Sequence, residues 1–124
     1  MGQFSVVGLG NAIMDALVRV PTDDVLEQFE LPRGQMTPVD DARWNEVYET
    51  VKGHGVEMAS GGSCANTIAA LGLMGAEVSY AGRIGDDDMG QAYTESLAEA
   101  CGGHSLQTTS EHPTGKCLSI ISAD

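Results

Sequence analysis

Apolar and polar positions change period several times along this chain. Phe4 to Leu9 (FSVVGL) is a short, mostly apolar run that meets Gly8 and Gly10. It predicts a buried first strand. Asp15 to Val20 (DALVRV) sets apolar Leu17 against polar Arg19 and stops at Pro21, which predicts a second, shorter strand. Thr22 can then cap a helix with Asp23 and Asp24 in its first turn and Val25, Leu26 and Phe29 on its apolar face. Pro32 ends it. Met36 to Val39 (MTPV) reads as extended, and Pro38 confines it to a sheet edge.

Asp40 or Asp41 can cap the next helix, where Trp44, Val47, Tyr48 and Val51 form one stripe at helical spacing. Gly53 and Gly55 stop it, and Val56 to Ala59 reads as a further short strand running into Gly61 and Gly62. A helix is predicted from about Cys64, with Cys64, Ile68 and Leu71 on one face and Gly75 at its end. Val78, Tyr80, Gly82 and Ile84 alternate as in a strand. Asp86 to Asp88 open another helix, whose face is Met89, Tyr93, Leu97 and Ala100. Gly102 and Gly103 close it, and no element is predicted again until the strand Lys116 to Ser122.

Strands alternating with helices predict an α/β protein with a mainly parallel sheet. The short strands near 15–20, 36–39 and 56–59 fall outside that alternation. They predict a separate small sheet, and a cleft between two sheets is a natural place for a ligand.

Composition narrows the partners. The 124 residues fit one small domain, and 5% aromatic content makes the core aliphatic. Lys and Arg number 6 against 18 Asp and Glu, a net charge of -12 that repels a phosphate backbone or an anionic membrane. Neither nucleic acid nor membrane is expected as a partner. No apolar run approaches a membrane span, and no signal peptide is visible. Three cysteines, an odd count, predict reduced thiols and a cytoplasmic protein. Cys101, His104, His112 and Cys117 match no zinc spacing and read as an incidental cluster. Cys64, beside Ala65, reads as a small helical residue rather than a nucleophile.

Two glycine motifs carry candidate chemistry. Gly8-Leu9-Gly10-Asn11-Ala12-Ile13 follows a strand, so a dinucleotide fingerprint has to be weighed. That fingerprint needs a third glycine where Ile13 stands, and a helix where a strand is predicted. The alternative is a strand end that brings Asn11 and Asp15 to the mouth of a cleft, where one carboxylate can accept from two vicinal hydroxyls. On spacing alone, a turn-forming Asn and a capping Asp fit equally and more simply. Gly61-Gly62-Ser63-Cys64-Ala65-Asn66 is more informative: small residues at a helix start leave backbone amides open to a polar ligand. Asn66 can both donate and accept there. An ordinary glycine turn before a helix is the simpler alternative.

The stretch Gly61 to Gly90 (GGSCANTIAALGLMGAEVSYAGRIGDDDMG) resembles the first signature of the PfkB, or ribokinase-like, carbohydrate kinase family. The paired glycines, the helix Asn66 and the turn of Gly85, Asp87 and Gly90 carry the likeness. The opening Gly8 to Asp15 (GLGNAIMD) resembles the family's first strand and substrate aspartate, and Pro113-Thr114-Gly115 resembles the segment leading back into its lid. The likeness is greatest to the adenosine-kinase-like branch and covers nearly the whole chain.

The resemblance implies part of a ribokinase-like α/β sandwich, with a parallel-rich central sheet and a small β-sheet lid holding strands near 15–20, 36–39, 56–59 and part of 114–124. It implies that Asp15 binds sugar or ribose hydroxyls, with Asn11 bordering the same site. Gly61 and Gly62 would bring backbone amides to the sugar, and Asn66 would reach another hydroxyl. Leu17 and Cys117 would line the apolar side of the pocket from the lid. The Gly85 to Asp88 turn would be structural, its acids capping the following helix.

Family members are more than twice this long by the same resemblance. Their catalytic aspartate lies in a Gly-Ala-Gly-Asp-like segment, and an Asn-x-x-Glu segment is associated with magnesium; neither occurs in this sequence. The expectation is therefore the N-terminal, acceptor-binding part of a kinase that uses ATP and Mg, inactive alone and holding neither cofactor specifically. Partners expected are a small sugar or nucleoside, and a second copy of the chain through the lid or an open sheet edge. A non-catalytic binding or self-associating module is the alternative, and a dinucleotide-binding domain the weaker one.

Overall fold

A computed structural model describes residues 4–102 and 104–123. Its elements run β1 (Val6–Leu9), β2 (Ile13–Val20), α1 (Asp24–Gln28), α2 (Asp41–Val51), a 3-10 turn at Lys52–His54, β3 (Val56–Gly61), α3 (Ser63–Leu73), β4 (Val78–Gly85), α4 (Asp88–Cys101), β5 (His104–Thr109) and β6 (Gly115–Ser122). The strands make two three-stranded sheets, one ordered β1-β4-β5 and the other β3-β2-β6. The first is parallel throughout, with Val6 opposite Val78 and Tyr80 opposite His104. The α/β class with a parallel sheet and a second small sheet is as expected.

The chain divides into two compact units. The first combines the segment up to Asp15 with Ala59–Cys117. Its core gathers Met14 of β2, Ala65 and Ile68 of α3, Val78, Tyr80 and Ile84 of β4, and Tyr93 and Leu97 of α4. These are the apolar stripes of α3 and α4 laid against one face of the parallel sheet, so even positions of β4 point inward. The second unit combines Ala16–Met58 with the segment from Leu118. Val18 and Val20 of β2 there meet Val25 and Phe29, and Val47 and Val51 of α2, with Leu118 and Ile120 of β6 alongside.

Local signals mostly act as the side chains dictate. Asp40 caps α2 by accepting from the Arg43 amide at 2.8 Å. Trp44 and Tyr48 stack at 4.9 Å between ring centroids. Asp87 caps α4, accepting from the Gly90 amide at 2.8 Å.

Several expectations need correction. The first strand is largely exposed rather than buried, and Asp23, not Thr22, stands at the N-cap of α1. Residues 36–39 form no strand; Pro38 offers no amide to a ladder, and one apolar pair gives the segment nothing to bury. The strand over 15–20 begins earlier, at Ile13, and carries an alternation in which Met14, Ala16, Val18 and Val20 are buried. Beyond α4, where no element was expected, His104–Thr109 forms β5 beside β4. Its sequence HSLQTT has a single large apolar residue, Leu106, because this edge strand is largely exposed.

Candidate functional site

Two peptide segments, 11–15 and 61–62, come together in the first unit. After Gly10 the chain does not enter a helix. It passes through Asn11 and Ala12 straight into β2, which removes the helix start that a dinucleotide fingerprint requires. Along β2 the buried positions are even-numbered, so Asp15 stands with Ile13 and Leu17 on the less buried face.

Gly61 ends β3 against Asp15: a Cβ at Gly61 would collide with Asp15 Oδ2 and stand 2.8 Å from Cγ. Gly62 follows with φ +97°, a backbone conformation that favours glycine, and a Cβ there would lie 2.7 Å from the Asn11 carbonyl oxygen. Gly62 is therefore required by its backbone and by the Asn11 carbonyl, while Gly61 leaves the room that the Asp15 carboxylate fills. Gly62 is also the N-cap of α3, with no side chain over its first turn, and its carbonyl accepts from the Asn66 amide at 2.9 Å.

The polar side chains at this junction are unspent. Among the described residues no hydrogen-bond donor reaches the half-buried Asp15 carboxylate, and neither the Asn11 nor the Asn66 side chain makes a hydrogen bond. A carboxylate so placed can exchange water for the hydroxyl donors of a ligand.

A second layer fixes the glycine pair. Tyr93 of α4 is fully buried and donates its hydroxyl to the Gly61 carbonyl at 3.1 Å. One residue earlier, the Ser60 and Ser96 hydroxyls are 2.7 Å apart. The end of β3 is thus tied to α4 at two successive residues. Burial, then contact with Tyr80, whose ring centroid is 6.4 Å away, pushes the Tyr93 phenol well above its ordinary pKa, so it stays a donor at all ordinary pH. Sequence reasoning placed Tyr93 only on an apolar helix face. Its hydroxyl has no periodic signature that could have revealed the bond.

The remaining candidates are placed as follows. Leu17 lies half-buried on β2 within the second unit, and Cys117 is exposed on β6. The Gly85 to Asp88 turn is structural, as expected. Asp87 Oδ1 accepts from the Thr114 hydroxyl at 2.6 Å and Oδ2 from the Thr114 amide at 2.9 Å, while Thr114 Oγ1 accepts from the Gly85 amide at 2.9 Å. Beside these segments, an open depression of about 630 Å³ lies over Gly10, Asn11, Gly82 and Gly115 at the carboxyl ends of β1 and β4. Ligands of open α/β sheets collect at such strand ends.

The family model described as pfkB family carbohydrate kinase matches residues 36–124. The chain belongs to the pfkB family of carbohydrate kinases. No curated protein matches it. Among solved structures, a Rhizobium etli protein described as a "probable sugar kinase protein" is 28% identical with a TM-score of 0.79 over 100% of this chain. The adenosine kinase of Sinorhizobium meliloti is 28% identical with a TM-score of 0.80 over 99% of this chain. The adenosine kinase of Anopheles gambiae, solved with P1,P4-di(adenosine-5) tetraphosphate, shares the fold at 20% identity and TM-score 0.80 over 95% of this chain. In each case this pfkB-family chain spans 37% of the other protein's length. Among its described residues no three His, Cys, Asp or Glu side chains converge.

Proposed function

We propose that this chain forms the acceptor-binding portion of an ATP-dependent kinase acting on the primary alcohol of a sugar or nucleoside. The observation that carries the reading is the Asp15 carboxylate, half-buried, seated against Gly61 and without a donor. Two vicinal hydroxyls can satisfy both of its oxygens, and Asn11 and Asn66 add amides that donate or accept. Gly61 and Gly62 let the start of α3 close up against Asn11 and Asp15, which sets the α3 amides beside the same acceptor shell. Family membership and the two bacterial kinases of 28% identity support kinase chemistry.

Phosphoryl transfer needs a positioned nucleophile, a base and charge neutralisation at the phosphate. The Gly-Ala-Gly-Asp-like segment that supplies the family's base does not occur in this sequence. The chain by itself therefore binds acceptor and transfers nothing; phosphoryl transfer from ATP by purified chain would refute that half of the proposal. For the binding half, calorimetric titration with adenosine and with ribose is compared between the chain and Asp15→Ala. Loss of charge-assisted hydrogen bonds costs about 1.5–3 kcal/mol, roughly 10- to 100-fold in affinity. Unchanged affinity for the preferred acceptor would remove Asp15 from the site.

A further inference from the structure

The depression at the strand ends differs in charge from the rest of the molecule. The chain carries 18 acidic residues, yet none of them lines it. Its one charged lining residue is Arg83, accompanied by Ser105 and Gln107. The pairing Ala81 with Ser105 and Arg83 with Gln107 puts these side chains on one face of the sheet, opposite the face where Tyr80 and Ile84 meet α3 and α4. Leu9, paired with Ala81, lies in the same row.

Arg83 is also distinct among the six cations. Arg19, Arg33, Arg43 and Lys52 each pair with a carboxylate. Lys116 acts electrostatically on Asp87. Among the described residues Arg83 meets a neutral acceptor, Gln107 Oε1, at 3.5 Å, and no carboxylate. In a chain of charge -12, an arginine that among the described residues pairs with no carboxylate, in a depression lined by none, makes a local field suited to an anion. The guanidinium fork matches phosphate oxygens in pairs, and the Ser105 hydroxyl and Gln107 amide stand on the neighbouring strand as further donors.

We propose that Arg83 is a phosphate-binding residue of this depression, holding either a phosphate group on the acceptor or the terminal phosphate of the nucleotide. Asn11 lines the same depression, so the phosphate would sit beside the acceptor shell. The proposal deepens the kinase reading and rests on it for what carries the phosphate. The anion site itself stands on the placement of Arg83.

The test is calorimetric titration of the chain with inorganic phosphate, ribose 5-phosphate and ATP at near-physiological ionic strength. It is repeated with Arg83→Met and Arg83→Lys, and with Arg33→Met as a charge-matched control. Arg83 is exposed, so its variants should keep the circular dichroism and unfolding temperature of the parent chain. The expected result is phosphate-dependent binding weakened about 10-fold or more by Arg83→Met, partly restored in Arg83→Lys and untouched by Arg33→Met. An advantage of ribose 5-phosphate over ribose that vanishes in Arg83→Met assigns the phosphate to the acceptor. A loss confined to ATP assigns it to the nucleotide. Equal weakening in Arg83→Met and Arg33→Met, equal affinity of Arg83→Met and parent, or no binding of any phosphate carrier overturns the proposal. Binding of neutral ribose or adenosine through Asp15 is read separately, so either proposal can fail without the other.

Discussion

Gly61 and Asp15 show how a single hydrogen atom in place of a side chain can serve position more than stability. A Cβ at residue 61 would meet the far end of Asp15, a carboxylate that can swing aside. Gly61→Ala should therefore cost little in folding, under about 1 kcal/mol. It should displace the carboxylate and weaken acceptor binding by about 10-fold. Chemical denaturation run beside acceptor titration checks both at once. Stability lost with affinity intact would mean that the close approach serves packing alone. The sequence showed the glycine pair and, through a family resemblance, the aspartate. It did not show that they touch, because residues 46 positions apart meet only through strand pairing. For the same reason Tyr93 was legible as a core residue and illegible as the donor to Gly61.

Between elements, the clearest device joins the start of α4 to the start of β6. Asp87 accepts from the Gly90 amide as a helix cap and, through both oxygens, from the Thr114 hydroxyl and amide. Thr114 is 2% exposed and accepts in turn from Gly85. Burial pulls the Asp87 carboxyl upward, but the Thr114 and Gly90 hydrogen bonds and the attraction of Lys116 outweigh it and leave it below the ordinary carboxylate value. A depressed pKa contributes stability that is fully present above the unfolded value of about 3.9 and lost as pH falls through the folded value. Asp87→Asn should cost about 1 kcal/mol at neutral pH, the scale of a lost cap. Its deficit against the parent chain should then shrink below about pH 4. A deficit that stays constant in urea titrations down to about pH 2 would show that the bonds, and not the charge, matter. The turn's glycines and acids announced a cap in the sequence, whereas Thr114 lay in an unassigned stretch. Likewise β5 went unseen because an exposed edge strand needs little apolar patterning, while residues 36–39 had the look of a strand and no partner.

For the molecule as a whole, the apolar content of β1 is the unresolved surface. Parallel strands are ordinarily buried on both faces, which is why they read as continuous apolar runs. That reading correctly found β1, yet Val7 is 62% exposed and Leu9 81%. Among the described residues β1 pairs with β4 alone, so its other edge presents unpaired amides and carbonyls. An apolar strand with an open edge is a template for a second chain, and the chain studied spans only 37% of its solved relatives. The 124-residue chain should therefore self-associate at micromolar concentration. Val7→Lys, which sets a charge on the exposed face of that strand, should shift it toward monomer without touching Asp15 or the glycine pair. Light scattering coupled to size exclusion decides the point. A monodisperse monomer for the parent chain would refute self-association, and an oligomer unmoved by Val7→Lys would place the contact elsewhere than β1.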